Sequence, residues 1–238
     1  MIFSSEERLS DSPFVQTIWR TQSKRSGSFL STAALHWEMV VMRRQGKTSI
    51  TVRGPETKAT SAHVPANAEW LGITFKLGSF MPQLPPGSIL DRRDADLPEA
   101  TGKSFWLYGS AWEYPTFENV DTFLLRLERE GLLKRDTVVD TVLRGYHKEL
   151  SIRTVRRHFL HATGLTHGTI RQIERARCAL ILLQQGMPIA EVAYEAGYFD
   201  QPHMTRSLRR FVGQTPAQIV AMNEPEPVSV LYKTQPAR

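Results

Sequence analysis

The chain of 238 residues has the composition of an ordinary globular protein, with 41% hydrophobic residues and a formal net charge of +6. Its length allows two modest domains with separate cores. The single cysteine, Cys178, excludes an intramolecular disulfide framework. Since the sequence shows neither a signal peptide nor an apolar run long enough to span a bilayer, we expect a cytoplasmic protein with no membrane partner.

The excess of positive charge is confined to one part of the chain. Residues 134–222 hold 13 basic and 7 acidic residues, whereas residues 1–133 hold 15 of each. This asymmetry indicates a polyanion-binding module joined to an electrically neutral one. A solvated basic face is the alternative, and charge alone favours neither.

The first hundred or so residues have the pattern of strands and turns. Ile50 and Val52 alternate with polar residues after a turn at residues 45–47, and residues 69–75 form another strand candidate. The aromatic side chains of residues 105–114 either line a ligand pocket or fill the core of a sheet. The pattern predicts a small β-rich domain at residues 1–115 that senses a signal or dimerises.

The period then changes to that of helices. Apolar side chains at i, i+3, i+4 and i+7 predict a connecting helix at residues 118–133, within a linker of residues 116–133. Residues 134–222 follow as an all-helical domain. The proline-rich residues 223–238 have few apolar side chains and are predicted to be a flexible tail.

Residues 186–213 have the signals of two short helices separated by a tight turn. Pro188 suits the first turn of a helix, which ends at Gly197 because glycine adopts positive φ at little cost. Asp200 can then cap a second helix. On this second helix Met204, Ser207, Leu208 and Phe211 share one face, and Pro202, Arg206 and Arg209 share the opposite one. In a helix-turn-helix module such an outward face enters the major groove of DNA.

A similar pattern occurs upstream. Residues 151–162 have Ser151 as a natural N-cap, an apolar face of Ile152, Val155, Phe159 and Ala162, and Arg153, Arg156 and Arg157 outside. A shift of 49 residues superposes Val155 on Met204 and Arg157 on Arg206. Residues 168–184 between the two patterns predict a helix of about 26 Å. Such a helix can hold two recognition helices near the spacing of about 34 Å between major-groove windows on one face of DNA.

Residues 151–219 resemble the DNA-binding domain of the AraC/XylS transcriptional regulators. The resemblance is carried by Ile189-Ala190-Glu191-Val192-Ala193, by Gly197-Tyr198, by Arg206 and by Phe211-Val212-Gly213-Gln214-Thr215-Pro216. It implies a seven-helix domain with two helix-turn-helix units joined by a long helix. The amino-terminal half is only vaguely similar to the cupin-type barrels that accompany this module. The expected fold class is therefore α+β, with a β-rich, cupin-like domain followed by the all-α domain.

The resemblance also implies which side chains face the bases. In the first unit these are Arg153, Arg156 and Arg157, and in the second they are Gln201, Pro202, Thr205 and Arg206. Since proline replaces a common polar contact, the second helix is expected to rely more on Gln201, His203 and Arg206. The leading helix of the first unit, residues 138–149, departs from the pattern by having Arg144-Gly145 and Glu149.

We expect a sequence-specific transcription regulator that is not an enzyme and has no cofactor or metal. Its expected partner is double-stranded DNA, and RNA polymerase, a small-molecule effector and a second copy of the chain are candidates. An activator is expected, although the residues do not distinguish activation from repression.

Two other functions are compatible with the sequence. The first is a cupin-type metal enzyme fused to a DNA-binding domain, for which His36, Glu38 and His63 are the metal candidates. The second is a structural protein that binds nucleic acid without sequence preference.

Overall fold

The computed structural model describes residues 3–91, 95–146 and 150–221, and in this part the fold is α+β, as predicted. A β-rich amino-terminal part is followed by a helical part. No helix of these ranges is both long and apolar enough to cross a bilayer. The cupin-like identity of the β-rich part stays a prediction.

Within the described ranges there are thirteen strands and seven α-helices. The strands, in chain order, are β1 (Phe3–Arg8), β2 (Val15–Ser23), β3 (Gly27–Ser31), β4 (Glu38–Arg44), β5 (Lys47–Arg53), β6 (Thr60–Val64), β7 (Ala68–Phe75), β8 (Ser79–Phe80), β9 (Ala95–Leu97), β10 (Glu99–Thr101), β11 (Ser104–Leu107), β12 (Ser110–Glu113) and β13 (Lys134–Arg135). The helices are α1 (Val120–Arg129), α2 (Thr137–Leu143), α3 (Ile152–Thr163), α4 (His167–Gln184), α5 (Ile189–Glu195), α6 (Gln201–Phe211) and α7 (Pro216–Ala221).

The chain divides into two compact units. The first consists of Met1–Gly27, His36–Pro55 and Pro65–Thr166, and the second of Ser28–Leu35, Glu56–Val64 and His167–Arg238. The domains at residues 1–115, 116–133 and 134–222 stay predictions. The predicted tail, residues 223–238, lies outside the described residues.

The first unit contains a six-stranded antiparallel sheet in the order β1-β2-β7-β4-β5-β9. Its β4–β5 hairpin turns at Gln45 and Gly46, which both have positive φ, as a two-residue turn matching the twist of the strands requires. Ile50 and Val52 of β5 are fully buried, and β7 covers the predicted strand at residues 69–75. These strand predictions are confirmed.

The hydrophobic core of the first unit lies on one face of this sheet. Side chains of the sheet, of the three-stranded sheet β10-β11-β12 and of α1 form one cluster that includes Ile18, Met39, Ile73, Phe105, Trp112, Tyr114, Phe123, Leu124 and Leu127. The aromatic stretch at residues 105–114 therefore contributes mainly to the core, although Trp106 and Tyr108 are exposed. The predicted connecting helix at residues 118–133 is shorter, since α1 ends at Arg129.

Helices α2 and α3 belong to this first unit. Asp136 caps α2 by accepting hydrogen bonds from the backbone N–H groups of Val138 and Val139. The helix α2 is shorter than the helix predicted at residues 138–149, because it ends at Leu143. Its end is set by Gly145, which has a φ of 83°, and by the N–H of Tyr146, which donates to Thr141. Residues 147–149 lie outside the described residues.

Helix α3 begins as predicted, because the Ser151 hydroxyl accepts a hydrogen bond from the N–H of Thr154. It ends at Thr163 and is capped by Gly164, which has a φ of 71° and lies against the backbone of Gly87. A Cβ atom at position 164 would be 2.7 Å from the Gly87 nitrogen, so glycine is required for this close approach. The Phe80 ring also contacts His161 edge-on.

The second unit contains α4 to α7 and the two-stranded sheet β3-β6. The predicted helix at residues 168–184 is confirmed as α4, whose Ile170, Ile173, Ala176 and Leu183 are buried. Helix α5 ends before Gly197, which has a φ of 71°, and α6 begins after Asp200. The predicted order of helix, tight turn and helix is therefore confirmed.

Both ends of α6 are held. At its start, the Asp200 carboxylate accepts a hydrogen bond of 2.6 Å from the backbone N–H of His203. At its end, the N–H of Ala33 donates to the carbonyl of Phe211 at 2.7 Å, and the N–H of Ala59 donates to that of Arg210 at 2.8 Å. We call Leu30, Ala33, Thr57 and Ala59 the helix-end clamp. Its contacts satisfy carbonyl groups that the last turn of a helix leaves without partners.

Replacement of Gly72 by alanine should destabilise the first unit. The added Cβ would overlap the indole ring of Trp19, which lies across Gly72 on the neighbouring strand. We expect a loss of about 1–3 kcal/mol in the free energy of unfolding, measured by urea denaturation. Gly102→Ala is the matched control, because no atom lies within 4 Å of a Cβ at that position. Equal midpoints for the two variants would contradict the packing described here.

Replacement of Asp200 by alanine should destabilise the second unit by about 1 kcal/mol, because α6 loses its N-cap. The Asp200→Asn variant keeps a side-chain oxygen that can accept from the N–H of His203 and should retain most of the stability. Thermal unfolding followed by far-ultraviolet circular dichroism compares the two. Equal losses in both variants would mean that the cap does not fix the start of α6.

Candidate nucleic-acid interface

Helix α3 exposes its arginines on one side and buries apolar side chains on the other. Arg153, Arg156 and Arg157 are exposed, whereas Phe159 and Ala162 are fully buried. The predicted apolar face is wrong at one position, because Ile152 is 89% exposed. Ile152 is the first residue of the helix, where the packed face has not yet begun. No acidic residue occurs from residue 150 to residue 173, so α3 presents only positive charge.

The orientation of α3 relative to α2 is fixed by a polar contact. His158 Nδ1 lies 2.7 Å from Asp136 Oδ2, and the other carboxylate oxygen of Asp136 caps α2. One carboxylate thus joins the start of α2 to the middle of α3. Its side chain is largely buried, which strengthens the electrostatic part of this contact.

Helix α6 shows the same separation of faces. Met204 and Leu208 are fully buried and Phe211 is buried, while Gln201, Pro202, Arg206 and Arg209 are exposed. Residues 201–211 include no carboxylate. The predicted outward face of α6 therefore combines exposed cationic and polar side chains, which can contact phosphates and base edges.

Two of the predicted base-facing residues are engaged within the second unit. The His203 ring is half-buried and meets the Tyr198 ring edge-on, with the centroids 5.2 Å apart. The Thr205 hydroxyl donates a hydrogen bond of 2.9 Å to the carbonyl of Gln201 in the preceding turn. Arg206 and Gln201 are the more accessible members of the predicted set.

Tyr198 links three elements of the second unit. It lies between α5 and α6, its hydroxyl is 2.9 Å from the Ser207 hydroxyl of α6, and the Arg175 guanidinium of α4 lies over its ring. Burial raises the pKa of the Tyr198 phenol, while the Ser207 hydrogen bond and the Arg175 charge lower it to a smaller extent. The phenol therefore stays protonated at neutral pH and keeps its hydrogen bond.

The last arginine of α6 is used differently from the first two. Arg210 Nε donates to the carbonyl of Thr57 in the helix-end clamp, and its guanidinium lies near the Phe211 ring. Gly213 follows the helix with a φ of 83°, and a Cβ there would be 2.7 Å from the Leu30 side chain. Arg210 thus contributes to holding the end of α6.

Several residues of this region were not identified from the sequence. The clamp residues are on segments that precede α6 by more than a hundred positions, and no periodicity connects them to that helix. Phe199 and Tyr194 are 93% and 86% exposed, respectively. For Phe199 a signal was present, since a large apolar residue stands in a turn next to the Asp200 cap.

The three metal candidates, His36, Glu38 and His63, do not form a metal site in the described residues. In the first unit, His36 Nδ1 donates to the carbonyl of Phe75, and the Glu38 carboxylate accepts a hydrogen bond from the Thr74 hydroxyl. His63 lies on β6 in the second unit. In the part of the chain that the structure describes, no group of three or more histidine, cysteine or acidic residues could hold a metal ion.

Comparison with known proteins agrees with this arrangement of helices. The family described as "Helix-turn-helix domain" matches residues 148–222. Two curated relatives, both called "HTH-type transcriptional regulator VirS", come from Mycobacterium tuberculosis strains CDC 1551 / Oshkosh and ATCC 25618 / H37Rv. Each is 40% identical over 102 residues, which are 42% of this chain. The chain spans 28% of the length of these relatives.

Solved structures of ToxT from Vibrio cholerae also match. One crystal form has a TM-score of 0.34 at 11% identity, covering 92% of this chain and 98% of ToxT. A ToxT structure from strain O395, bound to (E)-4-(8-methylnaphthalen-1-yl)but-3-enoic acid, has a TM-score of 0.31 at 10% identity with the same coverage. The sequence match and the helices between Thr137 and Ala221 together lead to one assignment. Residues 148–222 of this chain are a helix-turn-helix domain of the AraC type.

Proposed function

We propose that this protein is a sequence-specific DNA-binding regulator of transcription. One observation carries the proposal: α3 and α6 each bury an apolar face and leave a face of arginines and polar side chains exposed. Both lie in the segment that matches the helix-turn-helix family. Helices of this kind insert their exposed face into the major groove of DNA.

The contacts in this proposal are of two types. Arg157 and Arg206, which occupy equivalent positions in the two patterns, pair with guanine O6 and N7, and each pair contributes about 1–3 kcal/mol of discrimination. Arg153, Arg156 and Gln201 contact further base edges or phosphates. His203 and Thr205 complete the proposed DNA-binding set. Because Tyr198 and the Gln201 carbonyl already hold them, they fix the local shape of the surface more than they add contacts.

We further propose that the β-rich part responds to a small-molecule effector. The first unit has a groove of 420 Å³ with an apolar floor of Val41 and Leu71, and Arg20, Arg43 and Phe117 at its sides. Its volume is in the range of about 300–1,000 Å³ typical of ligand sites. An effector with a carboxylate would compete with Glu6 and Glu118 for Arg20.

The remaining parts of the proposal concern partners and place of action. We propose RNA polymerase and a second copy of the chain as its protein partners. We propose a cytoplasmic protein with no cofactor and no catalytic activity. The hydrogen bonds of His36 and Glu38 give no support to the alternative of a cupin-type metal enzyme.

Replacement of both Arg157 and Arg206 by alanine should abolish sequence-specific binding and leave the fold intact, since both side chains are exposed. We expect the double variant to lose at least about thirtyfold in affinity for a duplex selected from a random-sequence library, the sum of two base contacts of at least about 1 kcal/mol each. Fluorescence anisotropy at fixed salt measures this. The control is Arg44→Ala with Lys47→Ala, which removes the same charge from exposed positions in the first unit. Equal affinities of the two double variants would refute the assignment of the reading residues.

The parent protein should prefer the selected duplex over a scrambled one of equal length and composition by about 10³-fold or more at the same salt concentration. The preference arises because base contacts are lost on the scrambled duplex while phosphate contacts remain. Competition binding assays measure the ratio. Equal affinity for both duplexes would instead indicate a structural protein without sequence preference.

A further inference from the structure

Phe199 is exposed without a structural reason. Its side chain is 93% accessible, the largest value for a large hydrophobic residue in the part of the chain that the structure describes. It lies in the turn between α5 and α6, directly before the Asp200 cap. An aromatic side chain in water loses the free energy that burial would provide, so it contributes little to the stability of the fold.

The usual role of an apolar residue at this position is not fulfilled. A hydrophobic residue before an N-cap commonly packs against the fourth residue of the helix, which here is Met204. Met204 is fully buried by other side chains, and Phe199 stays in solvent. The start of α6 is therefore fixed by Asp200 and by the buried face, and Phe199 is free to contact a partner.

The surroundings of Phe199 indicate the chemistry of that partner. Pro202, on the first turn of α6, is a second exposed apolar residue, and Gln201 and Arg206 are exposed beside it. The first turn of the recognition helix is the part of a helix-turn-helix that meets base edges. In the major groove the only apolar group on a base edge is the C5-methyl group of thymine, which phenylalanine can contact.

We propose that Phe199, together with Pro202, contacts the C5-methyl group of a thymine in the DNA site. This inference rests on the proposed function and adds a determinant of sequence preference that is apolar. A contact with a methyl group explains why the apolar Pro202 is suitable in the first turn of α6, where a polar residue that contacts a base would otherwise be expected. The partner is DNA because α6 also exposes Arg206 and Arg209, and residues 201–221 include no acidic side chain.

The test uses the full chain and a duplex selected by it from a random-sequence library. Each thymine is replaced in turn by deoxyuridine, which removes only the methyl group and keeps the hydrogen-bonding edge. For the parent protein we expect one position to weaken binding about fourfold, the effect of losing one buried methyl group. Phe199→Ala should bind the thymine duplex about as weakly as the parent binds the uracil duplex, and it should not respond to this replacement.

Tyr194→Ala is the matched control, because Tyr194 is also a highly exposed aromatic residue but lies on α5. It should respond to deoxyuridine as the parent does. A parent that prefers the selected duplex but responds to no thymine position would overturn the inference and leave the proposed function intact. A Phe199→Ala variant that keeps the parent's response to deoxyuridine would also overturn it. The same holds if this variant binds DNA with unchanged affinity but lowers transcription in a reconstituted assay, which would indicate a protein partner. A parent that does not distinguish selected from scrambled DNA would overturn both.

Discussion

The burial of one face of α6 is the constraint on which the rest of the second unit depends. Met204, Leu208 and Phe211 recur at helical spacing and are removed from water, which fixes the rotation of the helix about its axis. Arg206 and Arg209 must then face outward. The same reasoning applies to α3 in the first unit, where Phe159 and Ala162 are buried and Arg153 and Arg157 are exposed. Hydrophobic packing thus determines which face of each helix is exposed, and the position of the arginines on that face follows from it.

Rotation alone does not set where α6 begins and ends, and separate contacts do so. Asp200 fixes the start, and the backbone N–H groups of Ala33 and Ala59 satisfy the last carbonyls. The helix-end clamp is part of segments that leave and re-enter the β-rich part of the chain. A change that displaces either segment removes a hydrogen bond from the end of α6. This covalent continuity gives a physical route by which the β-rich part can influence the end of α6 and hence the proposed DNA contacts.

Features that depend on local spacing could be predicted from the sequence. The caps Ser151 and Asp200, the turn at Gly197, the helix α4 and the outward arginines all follow from positions a few residues apart. Features that depend on contacts between residues far apart in the sequence could not be predicted, and the helix-end clamp on α6 is the main example. Two expectations for the first unit were wrong. The resemblance implied a helix over residues 138–149, but α2 ends at Leu143 because Gly145 follows, and Ile152 precedes the packed face of α3. The contact between the His203 and Tyr198 rings could not be predicted either, because it depends on how α5 and α6 are placed relative to each other.

The central claim is that α3 and α6 read two neighbouring stretches of one DNA duplex. Methylation interference with the full chain on its selected duplex tests this most directly, because methylation of guanine N7 blocks contacts in the major groove. The account predicts two clusters of interfering guanines on the same face, separated by about one helical turn, or roughly 10 base pairs. One cluster alone, or interference spread evenly along the duplex, would contradict it.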